Sequence, residues 1–322
     1  MIGQSESFLA AMRLINRIAE YDVPVLIEGE TGTGKELAAR RIHYKGARQK
    51  KPFVPINCGA IPDSLIENEL FGHRRGAYTD ARADVPGLLK LADGGTLFLD
   101  EIDMLPQKGQ VTLLRFLQNQ TFRKLGGQYD ERVDVRIIAA SNRSLERLAA
   151  QNEFRSDLLF RIKLMFVELP ALRDRPGDAR LLAGHFLQEC AVRYGVPARR
   201  LHAATLDWLD HYCWPGNVRE LENLIHRSFL LSDRAEIVVA RPVTDPARSV
   251  ANDQHVQVED CANYRAAKAR AIARFDVRYL ETLLAQNAGN VARAARAAGK
   301  ERRALGKLLK RYGIDAVQFR NQ

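Results

Sequence analysis

Long apolar runs and paired cysteines are both missing from this 322-residue sequence. No run approaches the roughly 18 apolar residues of a membrane span, and the N-terminus lacks the basic and apolar regions of an export signal. We therefore expect a cytoplasmic protein that does not associate with membranes. The four cysteines are scattered without metal-ligand spacing, which favours reduced thiols over a zinc site or disulfides.

Acidic residues are scarce at one end of the chain. Residues 262–322 contain fourteen Lys and Arg against four Asp and Glu, whereas residues 1–261 contain 35 of each kind. The net charge of +10 therefore comes from the C-terminal fifth of the chain. This distribution favours a nucleic-acid partner for that end, with a merely solvated basic face as the alternative.

A glycine-rich stretch at residues 29–36 follows an apolar run, 23–27, and precedes a helical pattern. A strand, a glycine turn and a helix start form the context that a phosphate-binding P-loop requires. Glycines let successive N–H groups face one anion, and the helix start and the Lys35 ammonium add positive charge. A glycine loop that only turns the chain is the alternative. The residues expected to bind ATP are Gly29, Glu30, Thr31, Gly32, Thr33, Gly34, Lys35 and Glu36.

Residues 94–101 contain a short apolar strand that ends in Asp100 and Glu101. A buried parallel strand that delivers two acids at its carboxyl end is typical of a Walker B element. Asp100 can hold Mg²⁺ through water, and Glu101 can polarise the water that attacks the γ-phosphate. Two acids that cap a helix are the alternative.

Further polar residues extend this prediction. Asn142 follows a predicted strand, 133–139, and can orient a water or a phosphate, or serve as an ordinary turn residue. Arg155 and Arg161 lie near a predicted helix. They would stabilise charge in phosphoryl transfer only if the ATP of another subunit lies against them, and otherwise they are solvated surface residues. Asn217 is predicted to cap the helix that presents Arg219.

Residues 290–298 and 301–312 read as two short helices joined by a turn at Gly299, with an apolar-periodic helix at 275–286 before them. This pattern predicts a helix-turn-helix that binds double-stranded DNA, with a three-helix oligomerisation bundle as the alternative. Lysines would contact phosphates and arginines would read bases. The candidate DNA-binding residues are Arg302, Arg303, Lys307, Lys310 and Arg311.

Together these motifs resemble the central AAA+ domain of bacterial enhancer-binding proteins, the activators that remodel sigma-54 RNA polymerase, followed by a Fis-type helix-turn-helix. Glu36 after the P-loop lysine is usual in that family. The most specific matching stretches are 29–36, 57–60, 69–72, 94–101, 154–161 and 214–221.

The resemblance implies an α/β fold. We expect a P-loop AAA+ ATPase core with a parallel sheet at residues 1–170, a small α-helical lid at 171–232, a linker at 233–263 and a C-terminal all-α helix-turn-helix domain at 264–322. It also implies ATP and Mg²⁺ as cofactors, RNA polymerase holoenzyme as partner, and a ring built from dimers into a hexamer with ATP at each subunit interface.

The resemblance also assigns roles to single residues. Asn57 would hold Glu101 until the nucleotide state releases it. The remaining assignments are Ile2 and Gly3 beside adenine, Asn142 as sensor I, Arg155 and Arg161 as fingers that reach a neighbouring subunit, and Arg219 as sensor II.

The polymerase-contacting loop departs from the family pattern Gly-Ala-Phe-Thr-Gly-Ala. Here it reads Gly76, Ala77, Tyr78, Thr79, Asp80 and Ala81. Tyr78 keeps an aromatic tip, but Asp80 adds a Cβ where glycine can take positive φ, and it adds a negative charge. We therefore expect an intact ATPase with weakened or lost sigma-54 engagement. The alternative function is a sigma-54-independent regulator, at sigma-70 promoters or as a repressor, with ATP as ligand or assembly switch.

Two further readings stay open. One alternative is another AAA+ machine, such as an unfoldase or helicase loader, but the loop and the C-terminal helices argue against it. The other alternative is a DNA-binding module in which the nucleotide serves only as a structural or ligand switch. Family members usually carry a sensory domain before the AAA+ module, and Met1 here falls next to Ile2 and Gly3. The sequence leaves open whether such a domain is naturally absent.

Overall fold

The structure, a computed structural model, describes residues 1–78 and 81–242 and, in the C-terminal part, residues 280, 283–284, 287, 290–298, 304–306 and 309. The chain divides into two compact units, Met1–Ser249 and Val250–Gln322. Within the described residues, no helix combines the length and the apolar character that crossing a membrane requires.

The first unit is built on a five-stranded parallel sheet in the order β2-β5-β8-β1-β9. The other strands pair as β3 with β4, β6 with β7 and β10 with β11. The described strands are β1 (Val25–Glu28), β2 (Phe53–Asn57), β3 (Gly72–His73), β4 (Val85–Pro86), β5 (Thr96–Asp100), β6 (Thr121–Phe122), β7 (Glu131–Arg132), β8 (Arg136–Ser141), β9 (Met165–Glu168), β10 (Arg200–Leu201) and β11 (Glu236–Ile237).

Helices flank the sheet and form the lid. Those of the first unit are α1 (Glu6–Ile18), α2 (Lys35–Lys45), α3 (Ile66–Phe71), α4 (Leu88–Leu91), α5 (Gln107–Asn119), α6 (Leu145–Ala150), α7 (Ser156–Ile162), α8 (Asp178–Tyr194), α9 (Ala203–Leu209) and α10 (Asn217–Leu231). Of the strands predicted from the sequence, β1 begins inside the predicted run 23–27, β5 lies within 94–101, and β8 begins three residues after the predicted start at 133.

Alternate residues of the central strands face opposite sides of the sheet. In β5, Leu97 and Leu99 pack with α3, α5 and α7, whereas Phe98 packs with α1 and α2 on the other side. Because helices cover both faces, the middle positions of these strands are apolar on both sides, as in most parallel strands. Their carboxyl ends meet at one edge of the sheet, which is where α/β proteins bind ligands.

The lid packs around its own apolar cluster, to which Trp214 and Ile225 contribute. Ile237 of β11 and Val239 belong to the same cluster and are 1% and 2% exposed. The lid therefore extends beyond residue 232, where the linker was predicted to start. Residues 170–177, just before α8, contain a 3₁₀ helix, Leu172–Asp174, and a buried Arg175.

The second unit is described only in part. Helix Val291–Ala297 begins after Asn290, whose side-chain oxygen accepts the N–H groups of Ala292 and Arg293. An apolar cluster joins the described residues Leu280, Leu283, Leu284, Ala294, Ala295, Leu305 and Leu309. The predicted DNA contacts Arg302, Arg303, Lys307, Lys310 and Arg311 lie outside the described residues, as does most of the predicted linker.

Candidate nucleotide site

The glycine turn after β1 has the geometry of a P-loop. Gly34 has φ +99° immediately before α2, a left-handed conformation that costs a side-chain-bearing residue energy. Helix α2 then begins at Lys35, so its first unpaired N–H groups face the turn. The fold therefore presents an anion site where the sequence predicts one.

The ammonium of Lys35 is held inside this turn. The residue is 8% exposed, and its Nζ donates to the backbone oxygens of Gly29, at 2.7 Å, and Glu30, at 3.1 Å. Burial lowers the pKa of Lys35, while the nearby carboxylate of Asp100 opposes that shift. The P-loop carbonyls thus hold one cation inside the turn, next to the N-terminus of α2.

Strand β5 delivers Asp100 and Glu101 to the same edge. Burial raises the pKa of Asp100, and its Oδ1 accepts the N–H of Glu101 at 3.0 Å. Glu101 has φ +52° and ψ +45°, a left-handed conformation in a residue other than glycine. Backbone strain of this kind gathers at functional sites, which supports a chemical role for Glu101.

The acidic residues suit a magnesium ion that also binds phosphate. Asp103, which sequence reasoning missed, accepts Ser141 Oγ at 2.9 Å through Oδ1, while its buried Oδ2 has no hydrogen-bond partner. No group of three or more His, Cys, Asp or Glu among the described residues has a metal-binding arrangement. Mg²⁺ commonly uses one or two carboxylates and takes its other ligands from water and phosphate, so Asp100 and Asp103 fit it.

Asn57 has a hydrogen-bonded turn, and not Glu101, as the partner of its side-chain oxygen. Its Oδ1 accepts the N–H groups of Gly59, at 2.8 Å, and Ala60, at 3.1 Å, which caps the 3₁₀ helix Cys58–Ala60. A Cβ atom added to Gly59 would lie 2.6 Å from Glu101 Oε2, so the carboxylate rests on this turn. The role of Asn57 as a switch stays a prediction.

These residues border a cleft of about 580 Å³ between the core and the lid. The predicted residues that line it include Ile2, Asn57, Asp100, Glu101 and Arg219, together with the P-loop from Thr31 to Glu36. The lid wall adds Leu182, His185, Phe186, Glu189, Val218 and Glu222. Sequence reasoning missed this wall because nothing local in the lid helices indicates that they face a ligand.

Three of the predicted catalytic residues are not among those that line the cleft. Asn142 is exposed beyond the end of β8. Arg155 immediately precedes α7 and pairs with Asp157 at 2.7 Å, and Arg161 lies in the last turn of that helix and is exposed.

The N-terminal residues are held by a buried ion pair of the lid. Arg175 and Asp178 are 2.8 Å apart and almost fully buried. Asp178 accepts the N–H of Gln4 at 2.6 Å and the hydroxyl of Ser5 at 2.9 Å, while Arg175 donates to the carbonyl of Ile2 at 2.8 Å. These bonds fix the segment predicted to contact adenine; Gly3 packs against the same pair.

The prediction that Asn217 caps α10 is wrong. Asn217 is the first residue of α10, and its side chain makes no cap hydrogen bond to the helix. Instead, its amide donates to Glu30 and Thr31 of the P-loop, and its Oδ1 accepts the N–H of Leu172. The Asn217 side chain, which was predicted to cap the helix locally, therefore makes tertiary contacts with the P-loop instead.

Comparison with known proteins agrees with this geometry. Residues 1–168 match the family described as the Sigma-54 interaction domain, and residues 173–257 match the AAA+ ATPase lid domain. The transcriptional regulatory protein GlrR of Escherichia coli K12 is 41% identical over 320 residues, which are 99% of this chain and 69% of that protein. The nitric oxide reductase transcription regulator NorR1 of Cupriavidus necator is 41% identical over 326 residues, with 97% of this chain and 63% of that protein covered.

A solved structure has the same fold. The crystal structure of NtrX from Brucella abortus aligns with a TM-score of 0.76 and 33% identity, covering 97% of this chain and 69% of that one. The same protein has been solved in complex with ATP, and that structure aligns with a TM-score of 0.74 and 32% identity. The chain spans 63% to 69% of the length of these three relatives.

Proposed function

This chain belongs to the Sigma-54 interaction domain family of AAA+ ATPases, and we propose that it hydrolyses ATP to remodel RNA polymerase holoenzyme while bound to DNA. The observation that carries the proposal is the cleft in which Lys35, Asp100 and Glu101 of the core face Arg219 of the lid. A phosphate-binding cation, two acids and a lid arginine are the parts that phosphoryl transfer to water requires.

Each core residue has a distinct role in this proposal. Lys35 leaves the carbonyls of Gly29 and Glu30 and donates to the outer phosphates of ATP. Asp100 would hold Mg²⁺, with the Asp103 carboxylate also near Lys35, and the ion would supply positive charge to those phosphates. Glu101 accepts a proton from the attacking water.

The arginines of α7 act in a ring of identical subunits. Arg155 and Arg161 lie outside the cleft of their own chain and at the surface, so they serve a neighbour's ATP. Phosphoryl-transfer enzymes gain about 10³- to 10⁵-fold in kcat from an arginine supplied in trans. Ring assembly therefore controls turnover, and ATPase activity should rise more steeply than protein concentration.

The loop at residues 76–81 is the proposed contact with sigma-54. It lies on the β3-β4 hairpin, and the N–H of Gly76 donates to the carbonyl of Ala81 at 2.9 Å. The Tyr78 ring lies 5.0 Å from that of His73 and is 45% exposed, which leaves an aromatic tip for a partner. Thr79 and Asp80 lie outside the described residues.

The family match covers this loop, with its tyrosine and aspartate, so a sigma-54-independent function is not favoured. In vitro transcription with each holoenzyme tests the choice. We expect ATP-dependent open complexes with sigma-54 polymerase, and none with sigma-70 polymerase. The opposite pattern would overturn the assignment of the partner.

ATP hydrolysis is tested with Glu101→Gln. We expect the variant to bind ATP and to lose turnover, because the amide cannot accept a proton from water. The enzyme proposal fails if the unaltered protein hydrolyses no ATP over a concentration range wide enough for ring assembly.

DNA binding is proposed for the basic C-terminal part. Residues 262–322 carry a surplus of ten positive charges, which is the electrostatic signature of a phosphate-backbone partner. Comparing residues 1–240 with the full chain on promoter DNA tests this proposal. Equal affinity of the two would refute it.

A further inference from the structure

A buried hydrogen-bond network joins the start of α10 to the P-loop. Asn217 is 0% exposed, and its Nδ2 donates to Glu30 Oε2 at 3.1 Å and to the carbonyl of Thr31 at 3.0 Å. Its Oδ1 accepts the N–H of Leu172 at 2.8 Å. The partners also fix which end of the amide is which, because the carboxylate and the carbonyl only accept and the N–H only donates.

The network extends on both sides of Asn217. Glu30 also receives two hydrogen bonds from Arg173, at 2.8 and 2.5 Å, and this guanidinium lowers the pKa of the carboxyl group. The N–H of Val218 donates to the carbonyl of Gly32 at 3.1 Å. The lid therefore binds the side chain of one P-loop residue and the backbone of two others.

The two segments are also in direct van der Waals contact. Gly32 has φ +81°, and a Cβ atom added to it would overlap the carbonyl oxygen of Gly216 and lie 3.2 Å from Arg219 Cβ. The P-loop and the first turn of α10 thus touch without side chains between them. A small shift of either segment has to move the other, since packed interiors have few voids to absorb it.

Asn217 meets two demands that few residues can combine. Its φ is +52°, which asparagine tolerates better than most residues, and its amide offers donors and an acceptor at once. Glycine satisfies only the backbone demand. This difference separates the role of the conformation from the role of the side chain.

We infer that Asn217 is a positioning residue for ATP, which holds α10 against the P-loop so that Arg219 faces the phosphates. Arg219 lies two residues along the same helix and lines the cleft with Lys35 and Glu101. The inference rests on the proposed ATPase function. It predicts that Asn217 affects ATP affinity only through the position of Arg219.

A double-mutant cycle on ATP affinity tests this inference. The variants are Asn217→Gly, Arg219→Ala and both together, each in the Glu101→Gln background so that ATP is bound and not consumed. Asn217→Gly keeps the backbone conformation and removes three hydrogen bonds, and we expect ATP affinity to fall about tenfold or more. The double variant should bind no more weakly than Arg219→Ala alone, because the two residues act as one unit.

Three controls keep the outcome interpretable. Tyr194→Phe removes a hydrogen bond of 2.6 Å between Tyr194 and His226, which joins α8 to α10 away from the P-loop, and should leave ATP affinity unchanged. Glu30→Gln weakens the network from the P-loop side and should lower ATP affinity in the same way, even if Asn217→Gly does not fold. Thermal unfolding of every variant reports lid stability separately.

Two results would overturn the inference. One is unchanged ATP affinity in folded Asn217→Gly or Glu30→Gln. The other is additive losses from Asn217→Gly and Arg219→Ala, which would mean that the asparagine acts independently of the arginine. Failure of the proposed function looks different: the unaltered protein would bind ATP without hydrolysing it, while the cycle could still give full coupling.

Discussion

We expect replacement of Gly59 by alanine to slow ATP hydrolysis while ATP binding stays intact. A Cβ atom at this position comes within 2.6 Å of Glu101 Oε2, whereas ordinary contact begins at 3.4 Å. The carboxylate must therefore retreat by about 0.8 Å, the difference between these distances. Because that oxygen is the free end of a flexible side chain, the protein can still fold with the added methyl group. The group that moves is then the carboxylate of Glu101, which is the proposed general base.

A misplacement of about 1 Å can cost about 100-fold in rate, since the reacting groups no longer meet in the productive geometry. We therefore expect kcat to fall by a factor of about 30 to 100. Gly59 is not among the residues that line the cleft, so ATP affinity should stay within about threefold of the unaltered protein. Steady-state ATPase assays and direct ATP titration measure the two quantities.

Gly184→Ala is the matched control, because an added Cβ at this α8 position meets open space. It should leave kcat unchanged and raise the free energy of unfolding by about 0.5 to 1 kcal/mol, since alanine favours a helix over glycine. A kcat for Gly59→Ala within about threefold of the unaltered value would refute the reasoning, because a base that tolerates this displacement is not the base.

Other predictions concern stability, assembly and DNA. Asp178→Asn should lower the free energy of unfolding at pH 7 by about 3 to 5 kcal/mol, because it leaves Arg175 buried without a counter-charge. Burial disfavours the charged carboxylate of Asp178, but its hydrogen bonds outweigh burial and hold its pKa below the ordinary value, so this contribution exists above about pH 4 and is lost on further acidification. Urea titrations should therefore give different free energies of unfolding for the variant and the unaltered protein at pH 7, and the difference should shrink below about pH 4. Arg161→Ala and Glu101→Gln proteins should each be inactive alone and regain part of the ATPase activity when mixed, and a mixture without activity would contradict arginines that act between subunits. For DNA, Arg302→Ala should relax sequence specificity, whereas Lys310→Ala should weaken binding to all sequences and reduce the salt slope by about 1.

The P-loop and the acidic strand end were predictable because their chemistry is local. A few consecutive residues determine the glycine turn before Lys35, and an apolar run leads directly to Asp100. Parallel strands bring such ends together whatever lies between them in the sequence. Spacing and composition were therefore sufficient for the core of the site.

The contacts that orient these residues were not predictable in this way. Asp178 binds Gln4 and Ser5 across more than 170 residues, and Asn217 reaches the P-loop across more than 180. The rule that asparagine caps helices is sound locally, but at Asn217 a tertiary partner competes for the same side chain. Contacts between residues so far apart in the chain leave no periodic pattern in the sequence.

The left-handed backbone at Glu101 sets stability against activity at a single position. Such a conformation costs a residue with a side chain about 1 to 2 kcal/mol, and glycine avoids most of that cost. A selection for heat resistance alone would accordingly favour glycine at this position and would discard the carboxylate. Sequences retained for their ATPase should keep the acid and remain less stable than the fold allows.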